Sequence, residues 1–286
     1  MSKILDGKEV AKAIKVKVKE EALALKEKGI YPKLVVLRVG ESKASMTYER
    51  MAIKVMRSVG IVAEALTLPE EATLDELLQA IDGLNKDESI HGVIVMQPLP
   101  SHIRRHDIAS HLDPQKDVDA MNPVNLGLLM VNDPSAMAPS TARAVIEILD
   151  HYHYELKGAE VCVIGSSPVV GKPLVNLLLN RYATVSNCRF STRDCTIHTT
   201  KADIVISATG SLGLVGPEHI TKGATVIDVG FGYKDGKPCG DVRFDEVEPI
   251  ASAITPVPGG VGSVTTAVLA LQTIKAAKMQ NGILEA

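Results

Sequence analysis

The stretch VCVIGSSPVVGKP, residues 161–173, joins a β-branched run to a helix-like segment through Gly165, Ser166 and Ser167, with Val170 and Gly171 at the helix entry. That order puts backbone N–H groups and a helix N-terminus where a pyrophosphate can sit. The spacing is not GxGxxG, since Ser167 stands at the second glycine, and a plain packing turn is the competing reading. SATG (207–210), with Thr209 and Gly210, and IDVGFG (227–232), with Phe231, also end apolar runs on glycine. In open α/β sheets ligands bind at that carboxyl edge. TPVPGGVG, from Thr255 to Gly262, is a third candidate: two prolines and three glycines without a charge exclude an ordinary helix or an interior strand. Such a loop suits a wall against a flat ligand, or else makes a tight connection.

Loops of this kind need strands and helices to hold them. Short β-branched runs alternate with amphipathic stretches, which predicts βαβ units and mainly parallel sheets. KLVVLRVG (33–40), IVAEALTL (61–68) and GVIVMQ (92–97) read as strands, with helices over Ser45–Val59 and Thr73–Leu84. Residues 113–127 are polar and turn-rich, and 131–141 resembles an interdomain connection. A second series follows: strands at 159–165, 183–188, 202–210 and 224–230, then an apolar helix over Val264–Ile274. The fold class is therefore α/β, and 286 residues suggest two domains.

Composition excludes several functions. A net charge of −3 without a basic run gives no electrostatic case for nucleic acid. No apolar stretch reaches the roughly 18 to 20 residues that span a bilayer, and MSKILDGKEV lacks a signal-peptide pattern, so a cytosolic protein is expected. Cys162, Cys188, Cys195 and Cys239 form no CxxC and no zinc-like spacing with histidine; they are expected to be reduced bystanders, with no metal.

Taken in order, ILDGK (4–8), LRVGESKAS with YERM (37–51), PLP (98–100), QKDVDAMNPVNLG (115–127), VIGSSPVVGKP (163–173), DIVISATG (203–210), TVIDVGFG (225–232), GDVRFDEV (240–247) and TPVPGGVG resemble the methylenetetrahydrofolate dehydrogenase/cyclohydrolase family over essentially the whole chain. The resemblance implies a folate-binding domain, residues 1–138 with 265–286, and a Rossmann-type NAD(P)-binding domain, residues 139–264, with the active site in the cleft between them. It also implies a homodimer acting on tetrahydrofolate derivatives. By the same resemblance Tyr48 packs on or bonds near the folate, and Asp119 accepts from the pterin's amino-pyrimidine edge. A surface tyrosine and a solvated aspartate are the alternatives. Within KDVDA, Asp117 reads as the structural member. Gln97, Pro98, Leu99 and Pro100 would shape the pterin pocket, and Pro258, Gly259 and Gly260 its opposite wall. Gly165, Ser166, Ser167, Val170, Gly171, Arg189, Ser191, Thr209, Gly210, Phe231 and Thr255 would serve the cofactor.

Two departures from the family bear on its second activity, hydrolysis of the methenyl cation to 10-formyltetrahydrofolate. That step uses a lysine one helical turn after the tyrosine, and here Ala52 holds the position. Lys54 cannot substitute simply, because at about 100° per residue it lies roughly 240° around the helix from Tyr48. Where the family reads VQLPLP this chain reads VMQPLP, so Met96 replaces the lysine's glutamine partner, and Gln97 is displaced by one residue. The expectation is a dehydrogenase with weak or absent cyclohydrolase; a bifunctional enzyme and a non-catalytic folate-binding protein are the alternatives. One further change, Ser263 where proline usually follows GGVG, alters the end of the loop. No acidic residue ends ATVSNC, and Arg189 follows it, which favours NADP over NAD. Ser166 argues the other way, since many relatives carry arginine there.

Overall fold

The computed structural model describes residues 2–283. The chain divides into two compact units. One holds the residues up to Lys12 together with Thr141–Thr265, and the other holds Ala13–Ser140 together with the residues from Thr266 on.

The first unit is built on a parallel sheet, six-stranded among the described residues, in the order Lys3–Ile4, Ala253–Ile254, Thr225–Asp228, Ile204–Ser207, Glu160–Ile164, Thr184–Cys188. Ile204–Ser207 and Thr225–Asp228 are buried along their whole length. Central parallel strands are covered on both faces, so their sequences read as unbroken apolar runs rather than as alternation. An antiparallel hairpin pairs Gly232–Lys234 with Lys237–Cys239. The two-residue strands Lys3–Ile4 and Ala253–Ile254 carry no periodic signal. Lys3 N donates to Ser252 O at 2.8 Å and Leu5 N to Ile254 O at 2.9 Å, which ties the first residues to this sheet.

The second unit holds a three-stranded parallel sheet, Val62–Leu68, Lys33–Val39, Gly92–Val95. Its helix Leu74–Lys86 begins with a capping box, in which Thr73 and Glu76 satisfy each other's backbone donors. At the other end Lys116 Nζ donates to the carbonyls of Leu84, Asn85 and Asp87 at 3.0, 2.7 and 2.7 Å. These are the orphan acceptors every helix leaves at its C-terminus. The helix Thr265–Gln280 is anchored through Gln272, whose amide donates to Val118 O and Ala138 O and accepts from Ala138 N. The Gly92–Val95 strand stops short of the expected residue 97, because Pro98 and Pro100 cannot continue a ladder. Helix Ser140–His151 starts inside the expected 131–141 connection, and helix Gly7–Glu27 was not expected from the sequence. No helix of the described residues is long and apolar enough to cross a membrane.

Candidate functional site

In the first unit the Glu160–Ile164 strand ends on Gly165 at φ +120, a conformation L side chains rarely adopt. A Cβ on Gly165 would run into the Ala208 carbonyl, and one on Gly171 into the Gly165 carbonyl. Both glycines are therefore fixed by backbone approaching backbone. Ser167, standing at the second glycine of the common motif, uses its hydroxyl to accept from Val170 N at 3.1 Å and its carbonyl to accept from Lys172 N at 3.0 Å. The turn holds itself and delivers the chain into helix Gly171–Leu179.

Beside this turn is a cavity of about 380 Å³. It brings together Gly165, Ser166, Ser167, Arg189 and Thr209 from the expected cofactor set, over a floor that includes Ile164, Leu214 and Val215. Val170, Gly171, Ser191, Gly210, Phe231 and Thr255 do not line it. Thr255 is fully buried, and its hydroxyl accepts from Asp228 N at 2.7 Å, which makes it a strut for the loop it begins. Phe231 is exposed and meets Tyr233 edge-on at 5.6 Å. Phe190, Cys188, Cys195, Ser211 and His219 also line the cavity, beyond the expected set. Nothing local in the sequence marks them, because they arrive from different strands and turns.

Two buried aspartates organise the loops around the cavity. Asp241 Oδ2 accepts from Thr209 N at 2.7 Å, Gly210 N at 3.2 Å and Ser207 Oγ at 3.0 Å. Asp228 accepts from Gly230 N, Asp241 N and Val242 N at 2.9, 3.1 and 2.9 Å. Burial pushes the Asp228 carboxyl up to about 6 from 3.8, against the pull of those donors. A raised carboxyl pKa favours the neutral acid in the fold, so its stabilising contribution is complete below pH 4 and is lost as pH rises through about 6. Asp228→Asn abolishes that titration. The stability advantage of the parent over Asp228→Asn should shrink by up to about 3 kcal/mol between pH 4 and pH 7, read from urea midpoints at several pH values. A difference that stays flat with pH would refute it.

The proline-glycine loop and the opening ILDGK come together in the same unit. Gly7 N donates to Gly259 O at 2.9 Å, and a Cβ on Gly7 would run into the Gly260 carbonyl. Gly259 has φ +111. The loop is thus held by backbone contacts, leaving Pro258 exposed.

In the second unit Tyr48 is half-buried on helix Lys43–Ser58. Its neighbour Glu49 is buried and accepts from Arg38 Nε at 2.7 Å. Arg38 also donates to the Gly40 carbonyl and to Thr67 Oγ1 at 3.2 Å, so the buried charges are fully partnered. This pair ties the helix to the sheet next to the tyrosine. Ser45 Oγ, from the same helix, donates to Gln97 O at 3.1 Å and fixes the start of the PLP segment. Gln97 and Pro98 are exposed, and Leu99 is half-buried against the core. Asp119 is half-buried, and its Oδ1 accepts from Ser140 N at 2.9 Å. Burial pushes its carboxyl pKa up, with Ser140 opposing. Asp117 is the structural member: its two oxygens accept from Met121 N at 3.0 Å and Asn122 N at 2.7 Å. Ala52 is 0 % exposed and Met96 7 %, whereas Gln97 and Lys54 are exposed.

The strand order, the glycine-fixed turn and the adjoining cavity define a dinucleotide-binding α/β protein. Comparison with known families narrows this. Residues 5–119 match the tetrahydrofolate dehydrogenase/cyclohydrolase catalytic domain, and residues 139–281 match the NAD(P)-binding domain of the same name. The chain belongs to the tetrahydrofolate dehydrogenase/cyclohydrolase family. It is 42% identical over 284 residues to the bifunctional protein FolD of Alkaliphilus metalliredigens, covering 99% of this chain and 100% of that one. Among solved structures, the bifunctional FolD enzyme of Campylobacter jejuni superposes with a TM-score of 0.95 at 40% identity, covering 98% of this chain and 99% of the other. The Trypanosoma brucei dehydrogenase-cyclohydrolase (FolD), complexed with NADP cofactor and an inhibitor, gives a TM-score of 0.91 at 37% identity, covering 97% and 98%.

Proposed function

We propose that the chain is an NADP-preferring 5,10-methylenetetrahydrofolate dehydrogenase that forms 5,10-methenyltetrahydrofolate, with weak or absent cyclohydrolase activity. The observation that carries this reading is an intact dinucleotide turn and cavity in a chain whose family lysine position is a fully buried alanine, Ala52. The substrate carbon lies between two nitrogens, so loss of hydride leaves a cation that both nitrogens stabilise. No strong acid or base is required, and the protein's work is alignment. A nicotinamide cofactor, when bound, would supply the hydride acceptor. The residues fit that group: Gly165 and Gly171 leave the turn's backbone open to a pyrophosphate, and Arg189 would supply a cation for a 2′-phosphate. Asp119 meets the donors of the pterin edge, Tyr48 steadies the folate, and Pro98 and Leu99 shape its pocket. Family membership supports a homodimer working in the cytoplasm on tetrahydrofolate derivatives.

The names of the relatives favour a second reading, a bifunctional enzyme that also yields 10-formyltetrahydrofolate. Against it stand Ala52 and Met96, which hold neither an ammonium nor its amide partner, and Lys54, which lies on another face of the helix. A folate-binding protein without turnover is the third. One assay separates all three: purified chain with methylenetetrahydrofolate and NADP⁺ or NAD⁺ at neutral pH, following reduced nicotinamide and methenyltetrahydrofolate absorbance together. Equal accumulation of both, faster with NADP⁺, is expected. Methenyl lagging well behind reduced nicotinamide would establish the bifunctional enzyme, and no reduced nicotinamide with either cofactor would leave only the binding protein.

A further inference from the structure

Three of the four cysteines converge in the first unit. Cys162 and Cys188 sit on neighbouring strands with their sulfurs 3.8 Å apart, and Cys195 packs against the apolar cluster that holds both. Cys188 and Cys195 line the cavity beside the glycine turn, whereas Cys162 is fully buried and does not line it. Cys195 is part-exposed. Among the described residues no group of three or more His, Cys, Asp or Glu side chains has metal-holding geometry, which leaves thiol chemistry.

We propose that Cys195 and Cys188 form a redox-active dithiol site in the cavity wall, which hydroperoxides oxidise to a disulfide and which, when oxidised, weakens dinucleotide binding. Two observations favour Cys195 as the attacking sulfur. It is the most accessible of the three, and the neighbouring Cys162 and Cys188 thiols hold its pKa below that of an ordinary thiol, although burial and Asp194 oppose the shift. Burial and contact with Cys195 push the Cys188 thiol up, which keeps it protonated until it is needed. The reaction runs in two steps. The Cys195 thiolate attacks a peroxide oxygen and breaks the O–O bond, becoming a sulfenic acid as the departing oxygen takes up a proton and leaves as water or alcohol. The Cys188 sulfur then attacks the sulfenic sulfur, loses its proton and expels water. Two thiols and one hydroperoxide thus give one disulfide, one water and one water or alcohol. A dithiol reductant reverses the bond by exchange.

The consequence follows from the chain between the two sulfurs. Residues 189–194 carry Arg189 and the fully exposed Phe190, held by Thr192 Oγ1 accepting from Arg189 N at 3.0 Å and Thr192 N donating to Arg189 O at 2.8 Å. Both Arg189 and Phe190 line the cavity. Closing a bond across the two ends of this turn repositions them. That consequence rests on the dinucleotide occupying this cavity, as proposed above; the thiol chemistry does not.

The test treats the full chain with hydrogen peroxide at neutral pH, caps remaining thiols with iodoacetamide and maps the peptides. A Cys188–Cys195 cross-link is expected, with Cys239 left reduced. NADP⁺ affinity should fall at least tenfold and return with dithiothreitol. Cys195→Ser and Cys188→Ser should lose both the cross-link and the effect, while Cys162→Ser keeps the cross-link. Oxidation confined to Cys239, absence of the cross-link, or unchanged affinity in the cross-linked protein would overturn the proposal. Bound NADP⁺ should also slow alkylation of Cys195 in the reduced protein. Binding without protection would instead refute the cofactor's place in this cavity, and the cross-link map would still decide the dithiol.

Discussion

Replacing Gly171 by alanine should weaken NADP⁺ binding on the order of a hundredfold, equivalent to about 3 kcal/mol, while the chain stays folded. Intrinsic preference predicts the opposite sign, since alanine is better than glycine in a helix by about 1 kcal/mol. The clash decides: the new Cβ would meet the Gly165 carbonyl and the Ser166 Cα, both backbone, and neither can rotate away as a side chain would. The turn must open, and its N–H groups move off the pyrophosphate. Gly83→Ala is the control, because Gly83 lies inside helix Leu74–Lys86 with nothing within 4 Å of where the methyl would sit. That variant should gain up to about 1 kcal/mol and bind the cofactor unchanged. Titration by fluorescence of reduced cofactor, with urea melts of all three proteins, reads both effects. Equal affinity of Gly171→Ala and parent would remove the turn from the binding site.

The second large effect is a gain. Parent protein should let methenyltetrahydrofolate decay at the buffer rate, and the double variant Ala52→Lys/Met96→Gln should accelerate it on the order of a hundredfold, the lower end of what a positioned acid-base group contributes. Position 52 is fully buried, so a lysine there is desolvated and its pKa falls toward the range a water-activating group needs. Burial is also the cost. An ammonium without a partner is expensive inside a protein, which is why Met96→Gln belongs in the same chain and why Ala52→Lys alone should gain less. Initial rates of methenyl absorbance loss, corrected for buffer, measure it. If the parent hydrolyses as fast as the double variant, positions 52 and 96 are not the vacated site and another group activates water.

Much of this architecture was legible in the sequence for a definite reason. Ile204–Ser207 and Thr225–Asp228 are central parallel strands, buried on both faces, and unbroken Val/Ile runs announce that environment. Gly165 and Gly171 were legible as well, because backbone contact leaves no other residue type a place. What escaped was set by long-range pairing. Lys3–Ile4 and Ala253–Ile254 are too short to show a period; the first is a strand only through the second, and the second through the first and Thr225–Asp228. Lys3 and Ile4 are thereby tied to the larger sheet, a pairing no local signal announces. The cysteines, read as bystanders from their spacing, meet because Cys162 and Cys188, 26 residues apart, lie on adjacent strands with their sulfurs in contact. On the folate side, Tyr48 and Asp119 could be named from the family pattern, but the Arg38–Glu49 pair that holds the tyrosine's helix could not, since nothing about either residue alone predicts burial.

The pairing of Lys3–Ile4 with Ala253–Ile254 also sets an order of events during synthesis. Lys3–Ile4 leaves the ribosome as an edge long before its partner, Ala253–Ile254, is made. The other unit is in the same position, since it takes in the C-terminal helix Thr265–Gln280. Neither unit is contiguous in the chain, so neither can finish folding before its later segment has been made. For the same reason a fragment beginning at residue 139 would leave the Ala253–Ile254 strand as a bare edge, with its backbone donors and acceptors open to any other chain that offers a strand.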